Sequence, residues 1–125
     1  MRPTLVDRVV SSSGSRVYTQ HPEPLERAIS QQAAQDLTNM MQNVVDEGTG
    51  TAARLNGLTV AGKTGTAETG VAGVNTAWFI AFAPVVDPKI AVAVVVEHTP
   101  LFGGQVSAPI AASVIEAYLG QGVAQ

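Results

Sequence analysis

Two apolar runs, Ala77–Phe82 and Ile90–Val96, restrict this chain more than any other feature. They lie within Thr76–Val85 and Lys89–Glu97, and Val86-Asp87-Pro88 between them is a turn signal. The pair predicts two antiparallel strands. Alternate side chains of a strand point to opposite faces, and here both classes are apolar. One class holds Trp78, Ile80 and Phe82 with Val92, Val94 and Val96. The other holds Phe79, Ala81 and Ala83 with Ala91, Ala93 and Val95. A sheet apolar on both faces needs cover on both, and the small alanines let a helix approach closely on one of them.

The rest of the chain supplies candidate cover. Ser30 is an N-cap residue type, and Ala33, Ala34, Leu37, Met40, Met41, Val44 and Val45 recur after it at helical spacing. This predicts a helix over residues 31–47, closed by Gly48 at the C′ position, with both methionines in the core. A second helix is expected over Val106–Leu119, after a loop ending at Gly103-Gly104. Its Pro109 would fall in the first turn, its apolar face would be Ile110, Val114, Ile115 and Tyr118, and the tail 120–125 would fray. Thr4–Ser11 and Arg16–Gln20, around the serine-rich turn Ser11–Ser15, read as a hairpin, and His21-Pro22-Glu23-Pro24 breaks regular structure.

Composition excludes several functions. With 125 residues the chain suits one small domain or a piece of a larger one. Only 14% of residues are charged, against about 25% in typical soluble domains, which fits a segment with much surface to bury. Net charge is −3 and there is no basic run, so nucleic acid is not an expected partner. No cysteine is present, and His21 and His98 form no ligand-like cluster, so neither a metal nor a cofactor is expected. No apolar run approaches the roughly 20 residues of a membrane span, and no membrane contact is expected of this segment.

One lysine carries the chemistry. Gly57-Leu58-Thr59-Val60-Ala61-Gly62-Lys63-Thr64 fits G-x-x-x-x-G-K-[ST], a nucleotide-binding loop pattern, while Lys63-Thr64-Gly65 is the K-T-G of penicillin-recognising serine enzymes. A phosphate loop needs a core strand before it and a helix starting at the lysine. Here Thr51–Asn56 is no core strand, Leu58–Ala61 are strand formers, and Gly65–Gly70 is a poor helix start. The nucleotide reading is disfavoured. Read as an extended segment, Leu58–Glu68 sends Thr64 and Thr66 to one side and Lys63 and Gly65 to the other. Two hydroxyls about 7 Å apart on an edge strand can both donate to a carboxylate. The Thr66 N–H can meet a developing oxyanion. Gly65 removes a side chain where a ligand or backbone comes close, and Lys63 adds a fixed charge that favours an anion. On the tripeptide alone, a Gly/Thr-rich surface strand remains the simpler account. Glu68 borders the same stretch and reads as solvated surface. His98 reads as loop.

The wider context favours the enzyme. VVDEGTGTAARLNG, VAGKTGTAE, AWFIAFAPVVDPKIAVAVVVE and GGQVSAPIAASVIEAY, in this order, resemble the C-terminal part of the transpeptidase domain of class B penicillin-binding proteins. The resemblance covers nearly the whole chain, and its alanine-rich, lysine-poor composition looks like the actinobacterial penicillin-binding protein A type. It implies an α+β fold, with three antiparallel strands here belonging to a five-stranded sheet flanked by helices. It implies a D,D-transpeptidase that cross-links peptidoglycan stem peptides through an acyl-enzyme, is acylated by β-lactams, and works on the extracytoplasmic face of the bacterial membrane. Lys63 would support proton traffic, Thr64 and Thr66 would hold the substrate carboxylate beside Gly65, and the Thr66 N–H would complete the oxyanion hole.

The sequence departs from that family in one respect. No serine is followed by lysine at the third position or by asparagine at the second, so the nucleophilic Ser-x-x-Lys and the Ser-x-Asn motifs are expected on an upstream part of the same domain, which would be this chain's partner. The chain alone is expected to be inactive. Without that part, Ile90–Val96 is expected to be an unpaired edge, with Trp78, Phe79, Phe82 and Val92–Val96 part-exposed. A non-catalytic binding or scaffold module that kept the fold is the alternative.

Overall fold

The computed structural model describes residues 3–120, which divide into two compact units, one up to Ser30 and one from Gln31. In the first, β1 (Arg8–Val10) and β2 (Arg16–Thr19) form the expected antiparallel hairpin, shorter than the sequence reading at its outer ends. The turn between them closes through Ser11 N–H to Ser15 O at 2.8 Å and Gly14 N–H to Ser11 O at 2.9 Å. Gly14 adopts φ 82°, a left-handed conformation that suits glycine.

In the second unit, α1 (Gln31–Asp46) starts directly after Ser30. A short 3-10 turn (Thr51–Ala53) follows, then β3 (Ala61–Glu68), β4 (Asn75–Ala83), β5 (Ile90–Thr99) and α2 (Gly103–Gly120). The three strands form an antiparallel sheet in the order β3-β4-β5, as expected. Beyond Gly120 the predicted frayed tail lies outside the described residues. No described helix is long and apolar enough to cross a membrane.

Register fixes which faces are covered, and it differs from the sequence reading in how the classes combine. Phe79 pairs with Val94 and Ala81 with Val92, whereas Trp78 pairs with Val95 and Ile80 with Ala93. The valines Val92 and Val94 therefore share the Phe79 face. That face is the core: Ala77, Phe79, Ala81 and Ala83 are buried with Val45 of α1, Ala53, Val60, and Ala108, Ala111 and Ile115 of α2. Phe79, expected to be part-exposed, is 0% exposed, because both helices cover its side of the sheet. On the opposite face Trp78 is 41%, Ile80 47% and Val95 40% exposed, and Phe82 is half-buried.

Both helices depart from expectation in their packing. The buried residues of α2 are Gly103, Ser107, Ala108, Ala111, Ala112 and Ile115, and the larger Ile110, Val114 and Tyr118 point outward. Small side chains bring the helix axis close to the sheet, so they form the contact. The helix begins three residues before the expected start, which makes Pro109 its seventh residue. There the proline lacks the N–H that would bond the Gln105 carbonyl. In α1 only Val45 is buried, and Met40 is 58% exposed, against the core role expected of it. Gly48 closes α1 by donating to Asn43 O at 3.1 Å, but φ is not left-handed. A side chain is excluded there because a Cβ would come within 2.9 Å of the Val44 Cα. Arg54, to which no role was assigned, donates Nε to Val45 O at 3.1 Å and Nη2 to Asp46 O, capping the carbonyl end of α1.

Strand β5 contains an irregularity near its end. Asn75 pairs with Thr99 and Ala77 with Val96, so β5 carries an extra residue between these pairs. His98, expected in a loop, lies in this bulge with φ 52°. The Ser107 hydroxyl reaches across from α2 and donates to the Ala77 carbonyl at 3.0 Å, fully buried. Ser107→Ala should therefore cost about 1–3 kcal/mol, since it strips a donor from a buried carbonyl. Urea denaturation of the folded domain checks this, and an unchanged midpoint contradicts it.

Candidate active site

Strand β3 builds the site. It follows Gly57, whose φ of 76° closes a tight turn bridged by Leu55 and Leu58. It runs as continuous strand through Lys63-Thr64-Gly65-Thr66, and the next element is β4. No helix begins at Lys63, so the chain does not have the strand-loop-helix layout that a phosphate loop needs.

Among the described residues β3 is a sheet edge, paired with β4 alone. Its register sets Thr64 opposite Phe79 and Thr66 opposite Ala77, on the helix-covered face. Lys63 lies opposite Ile80 and Gly65 opposite Trp78, on the other face. The alternation read from the sequence therefore holds. Lys63 is exposed, and its amine folds back to donate to the Thr64 carbonyl at 2.7 Å.

Thr64 and Thr66 line an open groove of about 470 Å³, with Thr49 and Thr51 on one side and Phe102–Gln105 on the other. Lys63 and Gly65 do not line it. The groove's far wall is the start of α2, where the Gln105 side chain accepts from the Phe102 N–H at 3.0 Å and so caps the helix. Gly103 and Gly104 lie where this helix end meets the sheet. A Cβ on Gly103 would sit 2.1 Å from the Trp78 carbonyl oxygen and 2.7 Å from that of Gly65. A Cβ on Gly104 would sit 2.1 Å from the Thr49 carbonyl oxygen. Both contacts are closer than any side chain allows, so only glycine lets the helix end close the groove.

The two threonine hydroxyls each meet a protein group. Thr64 Oγ1 lies 2.7 Å from Thr49 Oγ1, and Thr66 Oγ1 accepts from the Gly103 N–H at 3.5 Å. Thr49, Gly103 and Gly104 were read from the sequence only as loop. Their signal lay in the fragments GTGTAA and GGQVSAPIA, which carry no charged side chain to mark a role. Glu68 is exposed and borders a second open pocket of about 520 Å³, formed with the Gly70–Gly73 loop and Phe102. Among the described residues no cluster of three or more His, Cys, Asp or Glu is placed to hold a metal. The groove is thus suited to a small anion: two hydroxyl groups on a strand edge line it beside the start of a helix, and a lysine lies on the adjoining face of the strand.

The family model for the penicillin binding protein transpeptidase domain matches residues 1–116. The peptidoglycan D,D-transpeptidase PbpA of Mycolicibacterium smegmatis is 41% identical over 129 residues, covering 98% of this chain and 26% of that protein. PbpA of Mycobacterium tuberculosis is 40% identical over 126 residues, covering 95% of this chain and 26% of its own length. Among solved structures, penicillin-binding protein A from M. tuberculosis, as an imipenem acyl-enzyme complex, superposes with a TM-score of 0.79 at 38% identity, over 94% of this chain and 27% of that one. The D,D-transpeptidase domain of a peptidoglycan glycosyltransferase from Eggerthella lenta gives 0.77 at 37% identity, over 94% and 27%. This chain therefore spans about a quarter of the length of these relatives. It belongs to the penicillin-binding protein transpeptidase-domain family.

Proposed function

We propose that this chain is the C-terminal part of a serine D,D-transpeptidase domain and supplies the Lys-Thr-Gly wall of its active site. The observation that carries the reading is the pair of threonine hydroxyls, Thr64 and Thr66, side by side on an edge strand and lining one groove. The relatives' names support a peptidoglycan D,D-transpeptidase activity, and one relative was captured as an imipenem acyl-enzyme.

In this reading the nucleophilic serine lies upstream, on a segment outside this sequence. It attacks the carbonyl between the last two D-Ala residues of a stem peptide. The amide bond breaks, an ester to the serine forms, and the terminal D-Ala leaves as an amine after taking up a proton. A second peptide's amine then displaces the enzyme and completes the cross-link. A β-lactam enters by the same attack and stays as the acyl-enzyme. Thr64 and Thr66 hold the ligand carboxylate. The Thr66 N–H stabilises the oxyanion, Gly65 keeps the strand edge clear, and Lys63 supports proton transfer involving the upstream serines. The site works on the extracytoplasmic face of the cell membrane, where peptidoglycan is built.

The Thr64 role is testable. In the full-length transpeptidase, Thr64→Val removes one donor to a charged ligand group, worth about 1.5–3 kcal/mol. Acylation by penicillin should slow by roughly 10- to 150-fold, measured as a second-order rate constant. An unchanged constant contradicts the assignment.

The bare sheet face and the unpaired β5 edge have a place in the same reading. Upstream strands extend the sheet beyond β5 to five, and the upstream segment covers Trp78, Ile80 and Val95. An unpaired apolar edge and an uncovered apolar face recruit other chains. Made alone, the chain should be oligomeric or aggregated, and intact-mass spectrometry should find no penicillin adduct. Co-expressed with the upstream segment of its own domain, it should elute as a one-to-one complex that gains one adduct. Chromatography with light scattering checks the state. A cooperatively melting monomer of the chain alone contradicts the proposal and favours a self-contained binding module.

A further inference from the structure

Thr49 has no part in the roles assigned above, yet its hydroxyl meets that of Thr64 at 2.7 Å across 15 residues of sequence. We propose that Thr49 is a positioning residue for the carboxylate-binding wall: its hydroxyl donates to Thr64 Oγ1, so that Thr64 turns its own proton towards an anionic oxygen in the groove. The proposal rests on Thr64 being a carboxylate ligand.

A threonine hydroxyl carries one proton and two lone pairs. In the Thr49–Thr64 pair either oxygen can be the donor. Once an anion accepts the Thr64 proton, Thr49 alone can supply the proton between them. The Thr49 hydroxyl then donates to Thr64, which donates to the anion, and each bond of such a chain polarises the next. A lone hydroxyl would rotate among three staggered positions; a donor fixed behind it leaves the proton one useful direction.

Two further features hold this arrangement. The close approach of α2 restrains Thr49, since the position of a Gly104 Cβ lies 2.1 Å from the Thr49 carbonyl oxygen and 3.5 Å from Thr64 Cγ2. Thr66 repeats the pattern from the other side. The Gly103 N–H can only donate, and at 3.5 Å from Thr66 Oγ1 it approaches the lone-pair side and leaves the Thr66 proton free. Both threonines thus have a protein donor behind them and the groove in front.

The test uses the full-length transpeptidase carrying this segment, with penicillin G as the carboxylate ligand and its methyl ester as the neutral one. Thr49→Val should slow acylation by the free acid about 3- to 10-fold, the worth of one ordinary hydrogen bond, and leave the ester rate within twofold. Thr49→Ser, which keeps the hydroxyl, should restore the free-acid rate. In a Thr64→Val background, Thr49→Val should add no further loss. Should Thr49→Val fold poorly, Thr49→Ala adds no bulk and carries the same comparison. Equal losses on acid and ester, or no rescue by serine, overturn the proposal. If Thr64→Val slows the acid and Thr49→Val does not, the Thr49 proposal alone falls. If neither variant slows it, the carboxylate role of Thr64 falls as well.

Discussion

The close approach of the start of α2 to the sheet sets both the core and the groove. The backbone of Gly103 lies against the carbonyls of Trp78 and Gly65, and that of Gly104 against the carbonyl of Thr49. Any larger residue at either position would push the helix outward and open the groove. The approach continues along the helix, where Ser107, Ala108, Ala111 and Ala112 are buried and Ser107 donates to Ala77 O. The same approach brings three segments distant in sequence, near residues 49, 64 and 103, to one small groove. Packing and site are therefore set by one row of small residues.

That row explains where the sequence was legible and where it was not. The strands were legible because β4 and β5 are apolar in both alternation classes, and the edge strand was legible because Lys63-Thr64-Gly65-Thr66 alternates. The buried face of α2 was not. The helical spacing of large apolar residues selects Ile110, Val114, Ile115 and Tyr118, of which only Ile115 is buried and the other three face outward. Small residues decide this contact because each one shortens the distance between helix and sheet, and their own hydrophobic signal is weak. The pairing of Phe79 with Val94 of β5 was also hidden, because it depends on the register in which β4 and β5 meet, which composition does not encode.

The candidate site was half legible. Thr64 and Thr66 stood out from their motif, and the structure puts both on the groove while Lys63 lies on the other face. Thr49 did not stand out, since its part is to meet another hydroxyl rather than to carry charge. Lys63 is held along the strand by its own neighbour's carbonyl, so its proposed role in proton transfer requires groups that an upstream segment would bring to that face. The exposed Trp78, Ile80 and Val95 lie on the same face as Lys63. One upstream segment packed against that face would cover the apolar patch and complete the chemistry together.

In the proposed reading Thr64 and Thr66 form the carboxylate-holding wall of an acyl-enzyme. A crystal structure of the full-length protein acylated by a penicillin tests it most directly. The ligand carboxylate should lie within about 3 Å of both threonine hydroxyls, in the groove between β3 and the start of α2. A carboxylate bound elsewhere, with both hydroxyls facing solvent, would contradict it.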